Sequence, residues 1–405
     1  MVNNGSINAL SLVHWRIVLI FLSVVLLALM SPPFVFSIMD YFSRELRGFI
    51  GLVVIFVVGL SVGKVKVTDF TLLMCVFFLF FLEIILAKSR VSNILSYYAV
   101  IIVSLLLFME LRGSYFKRAL FLDLWVRTAY LLSSMMVVLF IIHQFTELDT
   151  DVLGLSTMKE FESRTYKFSL FGATLDKKIG FITLARVCGY FSEPQYAGLY
   201  CALNTMIALR LIKPDNYRGY LTISIVAGIL TFSITFYLAL FLVAYLIFLP
   251  KYIRNAVEFL LIMLVIAVVG SLFDLSGLDD SGLLQRTSFS DRLNRIGNSV
   301  GILANSSLFE WFLGHGVGYK NDFDRGISSG VFHILVERGL IGLGLLFLMI
   351  RHISNKDYVF IIVCAFFLIA MPWYKYYIYW IAVVVFYSTS ICHERSVVRY
   401  NRAMV

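Results

Sequence analysis

Long apolar runs, separated by short polar or basic stretches, make up most of this chain. About twenty consecutive apolar residues suffice for a helix that crosses a bilayer. The pattern therefore predicts an all-α, polytopic integral membrane protein in which residues 1–405 form a single transmembrane domain. About twelve spans are expected, at approximately 17–38, 48–63, 68–87, 94–111, 121–145, 195–212, 219–235, 237–250, 256–273, 329–350, 357–372 and 376–391.

The first apolar run follows Arg16 and is longer than the apolar part of a signal peptide. No small-x-small cleavage site follows it, so we expect it to remain as the first span. Later in the chain, the pair of spans at 219–250 is divided only by a shallow break near Phe236.

The amino-acid composition also indicates a membrane protein. Hydrophobic residues make up 60% of the chain and charged residues only 15%, which is far from the balance of a soluble domain. The net charge is +9, but the basic residues stand in short clusters between apolar runs, so they indicate topology rather than nucleic-acid binding. The cysteines are scattered and lack metal-ligand spacing, and neither a metal nor another cofactor is expected.

Basic residues near span ends predict the orientation, because cytoplasmic flanks are enriched in Lys and Arg. The flanks that hold more Lys and Arg are therefore predicted to lie in the cytoplasm. Both termini are predicted to lie there too, and this requires an even number of spans. That set holds Arg16, Lys64, Lys66, Arg112, Lys117, Arg118, Arg210, Lys213, Arg218, Lys251, Arg254, Arg351, Lys356, Arg395, Arg399 and Arg402. The short flanks on the other side hold Arg44, Arg47, Lys88, Arg90 and Lys375.

Two polar segments are too long to be turns, and with this orientation both face the periplasm. They are the first large loop, 146–194, and the second large loop, 274–328. Much of the chain's polarity that could take part in chemistry therefore lies on one face. The inverted halves expected of many transporters are not visible.

The first candidate cluster surrounds Arg186 and Glu193. Pro194 suits the first turn of a helix, with Ser192 or Glu193 as its cap. A helix N-terminus near an arginine is an anion site, whereas Glu193 could cap the helix, pair with Arg186 or hold a sugar hydroxyl. The alternative is that Arg186 extends to lipid headgroups and Glu193 only caps.

The second cluster holds three arginines within ten residues, Arg286, Arg292 and Arg295. Arginine binds phosphate with two parallel hydrogen bonds, so such a set suits a diphosphate. The alternative is a basic helix beside lipid headgroups.

The third cluster is His333 and Glu337, four residues apart and thus on one helix face near the outer end of a span. An imidazole there can act as a general base whose tautomer the carboxylate sets. The alternative is a histidine packed against a polar neighbour. Arg127 and Glu83 also lie in predicted spans, where they either pair with each other or face a cavity.

These clusters, in this order, resemble the O-antigen polymerase and O-antigen ligase superfamily. The resemblance covers roughly residues 180–345 in detail and the rest of the chain by its span pattern. The matching pieces are Arg186-x-x-Gly189-x-Phe191-x-Glu193-Pro194, Ser290-Asp-Arg292 followed by Phe312-Leu-Gly-His-Gly-Val-Gly318, and His333 with Glu337-x-Gly339-Leu-Ile-Gly342.

The resemblance implies a C-type glycosyltransferase of the bacterial inner membrane that needs no metal. Undecaprenyl diphosphate-linked oligosaccharide serves as its donor and acceptor, and a chain-length regulator and a flippase are the protein partners implied. Arg186 and Arg292 are expected to hold the donor diphosphate, and His333 to take the proton of the acceptor hydroxyl. Arg286, Arg295, Glu193 and Glu337 complete the expected substrate-binding set.

Three functions stay open at this point. Polymerisation of repeat units is favoured, because the Phe-x-Glu-Pro stretch and Ile334 after the histidine resemble polymerases, whereas ligases often have Asn there. Arg286 also begins an Arg-x10-Gly spacing that ends at Gly297, as in the last large loop of polymerases. The alternatives are a ligase that transfers polymer to lipid A core and a flippase or transporter of lipid-linked oligosaccharide.

Reporter fusions test the predicted topology. A topology reporter fused at Asp151 or Asp279 should read as periplasmic, and one fused at Lys213 as cytoplasmic. A cytoplasmic reading at Asp279 would remove the second large loop from the compartment in which the chemistry is expected.

Overall fold

A computed structural model of the chain describes residues 4–29, 44–63, 65–85, 91–145, 159–161, 164–169, 172–179, 182–191, 193–211, 217–248, 297–316, 319, 330–354, 357–370 and 373–389. The structural statements that follow concern these residues. The span predicted at 256–273 and the arginines of the second cluster lie outside them.

Helices dominate the described chain, and one occupies, in whole or in part, every predicted span that falls within it. They are α1 (Asn4–Leu29), α2 (Arg44–Ser61), α3 (Val67–Ile85), α4 (Val91–Arg112), α5 (Tyr115–Phe145), α6 (Pro194–Leu211), α7 (Arg218–Leu230), α8 (Ile234–Phe248), α9 (297–304), α10 (Leu308–Leu313), α11 (Gly330–Ile353), α12 (Tyr358–Ala370) and α13 (Tyr377–Thr389).

Three of the described helices, α3, α5 and α11, are long and apolar enough to cross a membrane. Shorter apolar stretches occur in α1, α2, α7, α8 and α13. Large apolar side chains such as Phe56, Leu60 and Phe78 are more than 60% exposed on the bundle surface. A water-soluble protein rarely exposes so many, so the described chain has the surface of a membrane protein. The number of spans stays a prediction.

The interior of the bundle is formed largely by α4, α6 and α13. Trp125 of α5, Tyr200 of α6 and Trp380 of α13 are among the largest fully buried side chains. Asn204 of α6 is also fully buried, and its Oδ1 accepts hydrogen bonds from Trp125 Nε1 at 2.9 Å and Tyr220 Oη at 2.6 Å. These bonds satisfy a buried amide and tie α6 to α5 and α7.

Charged contacts gather at one end of the bundle, which we call the basic end. The contacts are Arg112 Nη1 to Asp69 Oδ1 at 2.7 Å, His352 Nε2 to Asp69 Oδ1 at 2.6 Å, Lys117 Nζ to Glu110 Oε1 at 2.5 Å, and a pair between Arg210 and Asp357. Each joins helix ends that the basic-flank pattern places on one side of the membrane. These contacts place the C-terminal ends of α4, α6 and α11 beside the N-terminal ends of α3, α5 and α12, and the orientation in a membrane stays a prediction.

A four-stranded antiparallel sheet lies at the other end, which we call the sheet end. Its strands follow one another in the order β1 (Lys159–Phe161), β2 (Arg164–Ser169), β3 (Gly172–Ile179) and β4 (Ile182–Gly189). The expectation of an all-α fold is therefore wrong for the first large loop. The physical reason is the composition of 164–189, where β-branched and aromatic residues alternate with polar ones around short glycine-containing turns.

The sheet packs onto the helices through β4. Ala185 and Val187 are buried, and the Ala185 N–H donates to Gln144 Oε1 of α5 at 3.0 Å. Thr174 of β3 lies 3.3 Å from His143 Nδ1. The sheet thus covers the end of α5 and leads through Gly189 directly into the start of α6.

Helix α11 is interrupted at Gly339, where φ is 61° and ψ is −164°. A break leaves backbone carbonyls without partners inside the helix. The carbonyls of Val336 and Glu337 instead accept hydrogen bonds from the N–H groups of His315 at 2.8 Å and Gly316 at 3.0 Å. The segment after α10 therefore docks on the break and satisfies its carbonyls, as buried irregular backbone requires.

Substitution of Gly339 tests this docking. A Cβ atom there would lie 2.4 Å from carbonyl atoms of Phe312, and the positive φ is unfavourable for any L side chain. Gly339→Ala should therefore lower the free energy of unfolding by about 2–4 kcal/mol, combining backbone strain with displacement of α10.

Gly344→Ala is the matched control on the same helix, since a Cβ there meets nothing within 4 Å. It should leave stability unchanged or raise it by up to about 1 kcal/mol through helix propensity. The measurement is denaturant unfolding of the full chain in micelles. Equal effects of the two substitutions would contradict the break.

Candidate functional site

The candidate site is built on the first two turns of α11. His333 and Glu337 stand on one helix face, as the spacing predicts, and 3.3 Å separates His333 Nδ1 from Glu337 Oε2. The Glu337 side chain is only 1% exposed, whereas His333 is 18% exposed. A carboxylate buried so deeply needs a positive partner, because an unpaired buried charge is strongly unfavourable.

Lys375 supplies that partner. It ends a 3₁₀ turn, Trp373–Lys375, which joins α12 to α13 and is anchored by the hydrogen bond from Trp373 Nε1 to Cys364 O at 3.2 Å. Lys375 Nζ lies 3.0 Å from Glu337 Oε1 and 2.8 Å from Oε2. It also lies 3.3 Å from His333 Nε2. Burial lowers the pKa of the Lys375 amine, and the charge of Glu337 opposes that shift.

Lys375 lies in a predicted outer flank, and its place in the site is not predicted from the sequence. One signal was available, since Lys375 is the only charged residue between Asp357 and His393. A charged side chain between two apolar runs is costly unless it has a partner, and the partner is the carboxylate predicted on α11.

A second buried pair lies directly beside this cluster. Arg338 of α11 forms a salt bridge with Glu83 of α3, and Arg338 Nη1 donates to Tyr98 Oη at 2.9 Å. The guanidinium also stacks over the rings of Tyr97 and Tyr98, 4.0 and 4.6 Å from their centroids. Gly342 makes room for Arg338, since a Cβ there would lie 2.1 Å from the Arg338 Cβ.

Of the two alternatives that the sequence left open for Glu83 and Arg127, mutual pairing is wrong. Glu83 pairs with Arg338 and lines a pocket, which agrees with the second alternative for this residue. Arg127 Nε instead lies 2.9 Å from Asp123 Oδ2 on the exposed face of α5. The Glu83–Arg338 pair also borders an apolar pocket between α3, α4 and α11, lined in part by Leu82, Ile101, Leu345 and Met349.

Glu193 directly precedes α6 and stands at its N-terminal boundary, whereas Ser192, the other predicted cap, lies outside the described residues. The Glu193 carbonyl accepts the first helical hydrogen bonds, from Tyr196 N at 3.1 Å and Ala197 N at 3.3 Å. The Glu193 side chain interacts electrostatically with the hydroxyl groups of Tyr196 and Tyr376. These two hydroxyls lie 3.0 Å apart, and Tyr376 directly follows Lys375. Glu193 therefore belongs to the same end of the bundle and the same neighbourhood as His333.

Arg186 of β4 points toward the turn between α7 and α8. Its Nε and Nη2 donate to the carbonyls of Thr231 at 3.4 Å and Phe232 at 3.3 Å. This turn, 231–233, divides the weakly separated pair of spans three residues before Phe236, and Phe232 adopts a positive φ of 46°. A guanidinium on the carbonyl end of a helix interacts favourably with its dipole, so Arg186 has a structural role at this turn. Its contact with a donor diphosphate stays a prediction.

The structure thus brings His333, Glu337 and Glu193 into one neighbourhood at the sheet end, together with Lys375, which sequence reasoning missed. Arg186 lies at the same end, on the strand that leads into α6. Arg286, Arg292 and Arg295 lie outside the described residues, and their part in the site stays a prediction.

Comparisons with known proteins find no match: no family model, no curated protein and no solved structure matches this chain. The class of this protein is therefore inferred from its own structure. It is a mostly helical protein with apolar helices that suit a membrane, and one of its clusters of titratable groups lies at the sheet end.

The buried Arg338–Glu83 pair offers a stability test. Arg338→Met should lower the free energy of unfolding by about 3–5 kcal/mol, because it removes the positive charge that balances Glu83. The double variant Glu83→Leu with Arg338→Met should regain most of that loss, since no buried charge is left behind. The measurement is denaturant unfolding of the full chain in micelles.

Arg127→Met is the matched control, because it breaks an exposed pair whose arginine is 77% exposed. It should change stability by less than about 1 kcal/mol. A loss at Arg127 as large as at Arg338, or no recovery in the double variant, would contradict the buried pair as a clamp between α3 and α11.

Proposed function

We propose that this chain is a membrane glycosyltransferase of the O-antigen polymerase type. It joins undecaprenyl diphosphate-linked oligosaccharide repeat units into O-antigen or a similar surface polysaccharide, without a metal ion. In this proposal the chain lies in the bacterial inner membrane with both termini in the cytoplasm, and the sheet end faces the periplasm.

The observation that carries the proposal is the contact of His333 with Glu337 and Lys375. An imidazole 18% exposed, held by a buried carboxylate at one end of a helix bundle, has the features of a general base for a hydroxyl substrate. It stands at the end of an apolar helix, where a sugar in water and a lipid in the bilayer can both be reached. Glu193 and the tyrosine hydroxyls nearby supply hydrogen-bonding groups suited to a saccharide.

The proposed reaction needs three parts. His333 takes the proton of the acceptor hydroxyl while the hydroxyl oxygen bonds to the anomeric carbon of the donor sugar. The bond from that carbon to the diphosphate oxygen breaks, and the diphosphate leaves with the electron pair. Arg186 and Arg292 stabilise the charge that develops on it.

The remaining groups have binding roles in this proposal. Arg286 and Arg295 add positive charge for the diphosphate, Glu193 binds a sugar hydroxyl, and Glu337 orients the imidazole. A chain-length regulator and a flippase are its expected protein partners, because the repeat units must be delivered across the membrane and polymerisation must stop.

The ligase and the transporter stay as alternatives. A ligase would use the same donor chemistry but transfer finished polymer to lipid A core. The break of α11 at Gly339 is an observation that suits a transporter, since interrupted helices often line transport sites. The break lies in the half of α11 nearer the sheet end, whereas transporter sites lie near the middle of the membrane.

Gene deletion followed by complementation tests the function. Deletion should leave lipopolysaccharide that carries a single repeat unit, because transfer to the core still proceeds without polymerisation. Complementation with the wild type should restore long chains, and His333→Ala should reduce chain extension by at least about 10²-fold through loss of the base. The measurement is the ladder of lipopolysaccharide lengths on a gel.

His14→Ala is the matched control, because His14 is exposed on α1. It should extend chains normally at equal membrane levels of protein. Normal chain extension by His333→Ala would contradict the proposal that His333 is the base. Complete loss of O-antigen from the core in the deletion strain would indicate the ligase or the flippase instead.

A further inference from the structure

We propose that Lys375 is a positioning residue of the candidate site: its ammonium holds the His333 ring in the neutral Nδ1–H form and covers Nε2 until an acceptor hydroxyl takes its place. The geometric part of this inference stands on contacts of the described residues. Its chemical consequence rests on the proposed function.

The distances from Lys375 Nζ to its three partner atoms differ. The two carboxylate oxygens of Glu337 lie at 3.0 and 2.8 Å, and His333 Nε2 lies at 3.3 Å. The longest contact is therefore the one to the ring. Lys375 can give up Nε2 and keep both oxygens of Glu337, so displacement by a ligand leaves its charge paired.

The hydrogen-bond roles of Lys375 and His333 determine which ring nitrogen of His333 carries the proton. An ammonium has three N–H donors and no lone pair, so Nε2 must accept from it. The ring proton then lies on Nδ1, which faces Glu337 Oε2 at 3.3 Å. An N–H on Nε2 would point at the ammonium, so the contact with Lys375 favours the tautomer that carries its proton on Nδ1.

The other charged and titratable groups of this neighbourhood lie farther along the same network. Arg338 follows Glu337 on α11, and its positive charge repels that of Lys375. Tyr97 of α4 interacts with the negative charge of Glu337. Glu193, at the start of α6, acts through the hydroxyl of Tyr376. Among the described residues, Lys375 is the cation that directly contacts the basic nitrogen of His333.

This arrangement has a consequence for the proposed reaction. When an acceptor hydroxyl replaces the ammonium, its proton passes to Nε2 and its oxygen bonds to the anomeric carbon. The diphosphate leaves with the electron pair of the broken carbon–oxygen bond. Glu337 then stabilises the imidazolium through Nδ1–H, and the proton is later released to water. Lys375 thus keeps the base ready, leaves Nε2 when the acceptor hydroxyl binds, and does not touch the substrate.

Nitrogen NMR of the full chain with ¹⁵N-labelled histidine, in lipid nanodiscs at neutral pH, tests the inference. A His333→Asn spectrum identifies the signals of His333. In the wild type they should show a protonated Nδ1 and an unprotonated Nε2. In Lys375→Met they should change to the doubly protonated form, because Glu337 then stands beside the ring without its ammonium.

Lys375→Arg keeps a positive donor and should retain the wild-type ring signals. Lys66→Met is the matched control, since Lys66 is an exposed lysine in the turn between α2 and α3, at the basic end. In a polymerisation assay Lys375→Met should lower kcat on the order of 10²-fold with little change in KM, and Lys375→Arg should recover most of that loss.

Should Lys375→Met not fold, the double variant Glu337→Gln with Lys375→Met leaves no buried charge at this pair, and its His333 signals should show the ring proton shared between Nδ1 and Nε2, because neither charged partner is left to fix it on Nδ1. Ring signals of His333 that are identical in the wild type and Lys375→Met would overturn the inference. So would an equal loss of kcat in the arginine and methionine variants. A wild type without polymerising activity would instead overturn the proposed function, and the ring signals would still decide the role of Lys375.

Discussion

A carboxylate buried among helices has to be neutralised, and the candidate site depends on how Glu337 meets this requirement. The side chain is almost inaccessible to solvent, and Lys375 approaches both of its oxygens from another part of the chain. This contact connects α11 to the turn before α13 and positions His333 at the same time. Without it, a charge would be left in a medium of low polarity, where its desolvation costs several kcal/mol. The contact between Glu337 and Lys375 therefore both forms the site and holds these helices together.

The break at Gly339 serves the same cluster. It ends the first part of α11 directly after Glu337 and Arg338, so the two side chains can reach different partners, Lys375 and Glu83. The backbone groups that the break releases are satisfied by the segment after α10. Part of the second large loop, the described residues 314–316, is thus attached to the helix that carries His333. Residues 314–316 therefore have a structural role, in holding an interrupted helix together.

The sequence predicts best what depends on neighbouring residues. Apolar runs locate the helices, and a spacing of four places His333 beside Glu337. The sheet of the first large loop is not predicted, because short alternating strands between long apolar runs give a weak signal. Lys375 and Arg338 are not predicted either, since their partners are distant in sequence and only packing brings them together. The break at Gly339 depends on the close approach of Phe312, and a glycine in an apolar run does not by itself indicate it.

The most direct measurement of the central claim is a double-mutant cycle on Glu337 and Lys375. Unfolding free energies of the wild type, Glu337→Gln, Lys375→Met and the double variant are compared in the same lipid or micelle. If the two charges hold the site together, the double variant will be more stable than the two single losses predict, by about 1–3 kcal/mol. Strictly additive losses would mean that the carboxylate and the ammonium do not interact, and the account of the site would be contradicted.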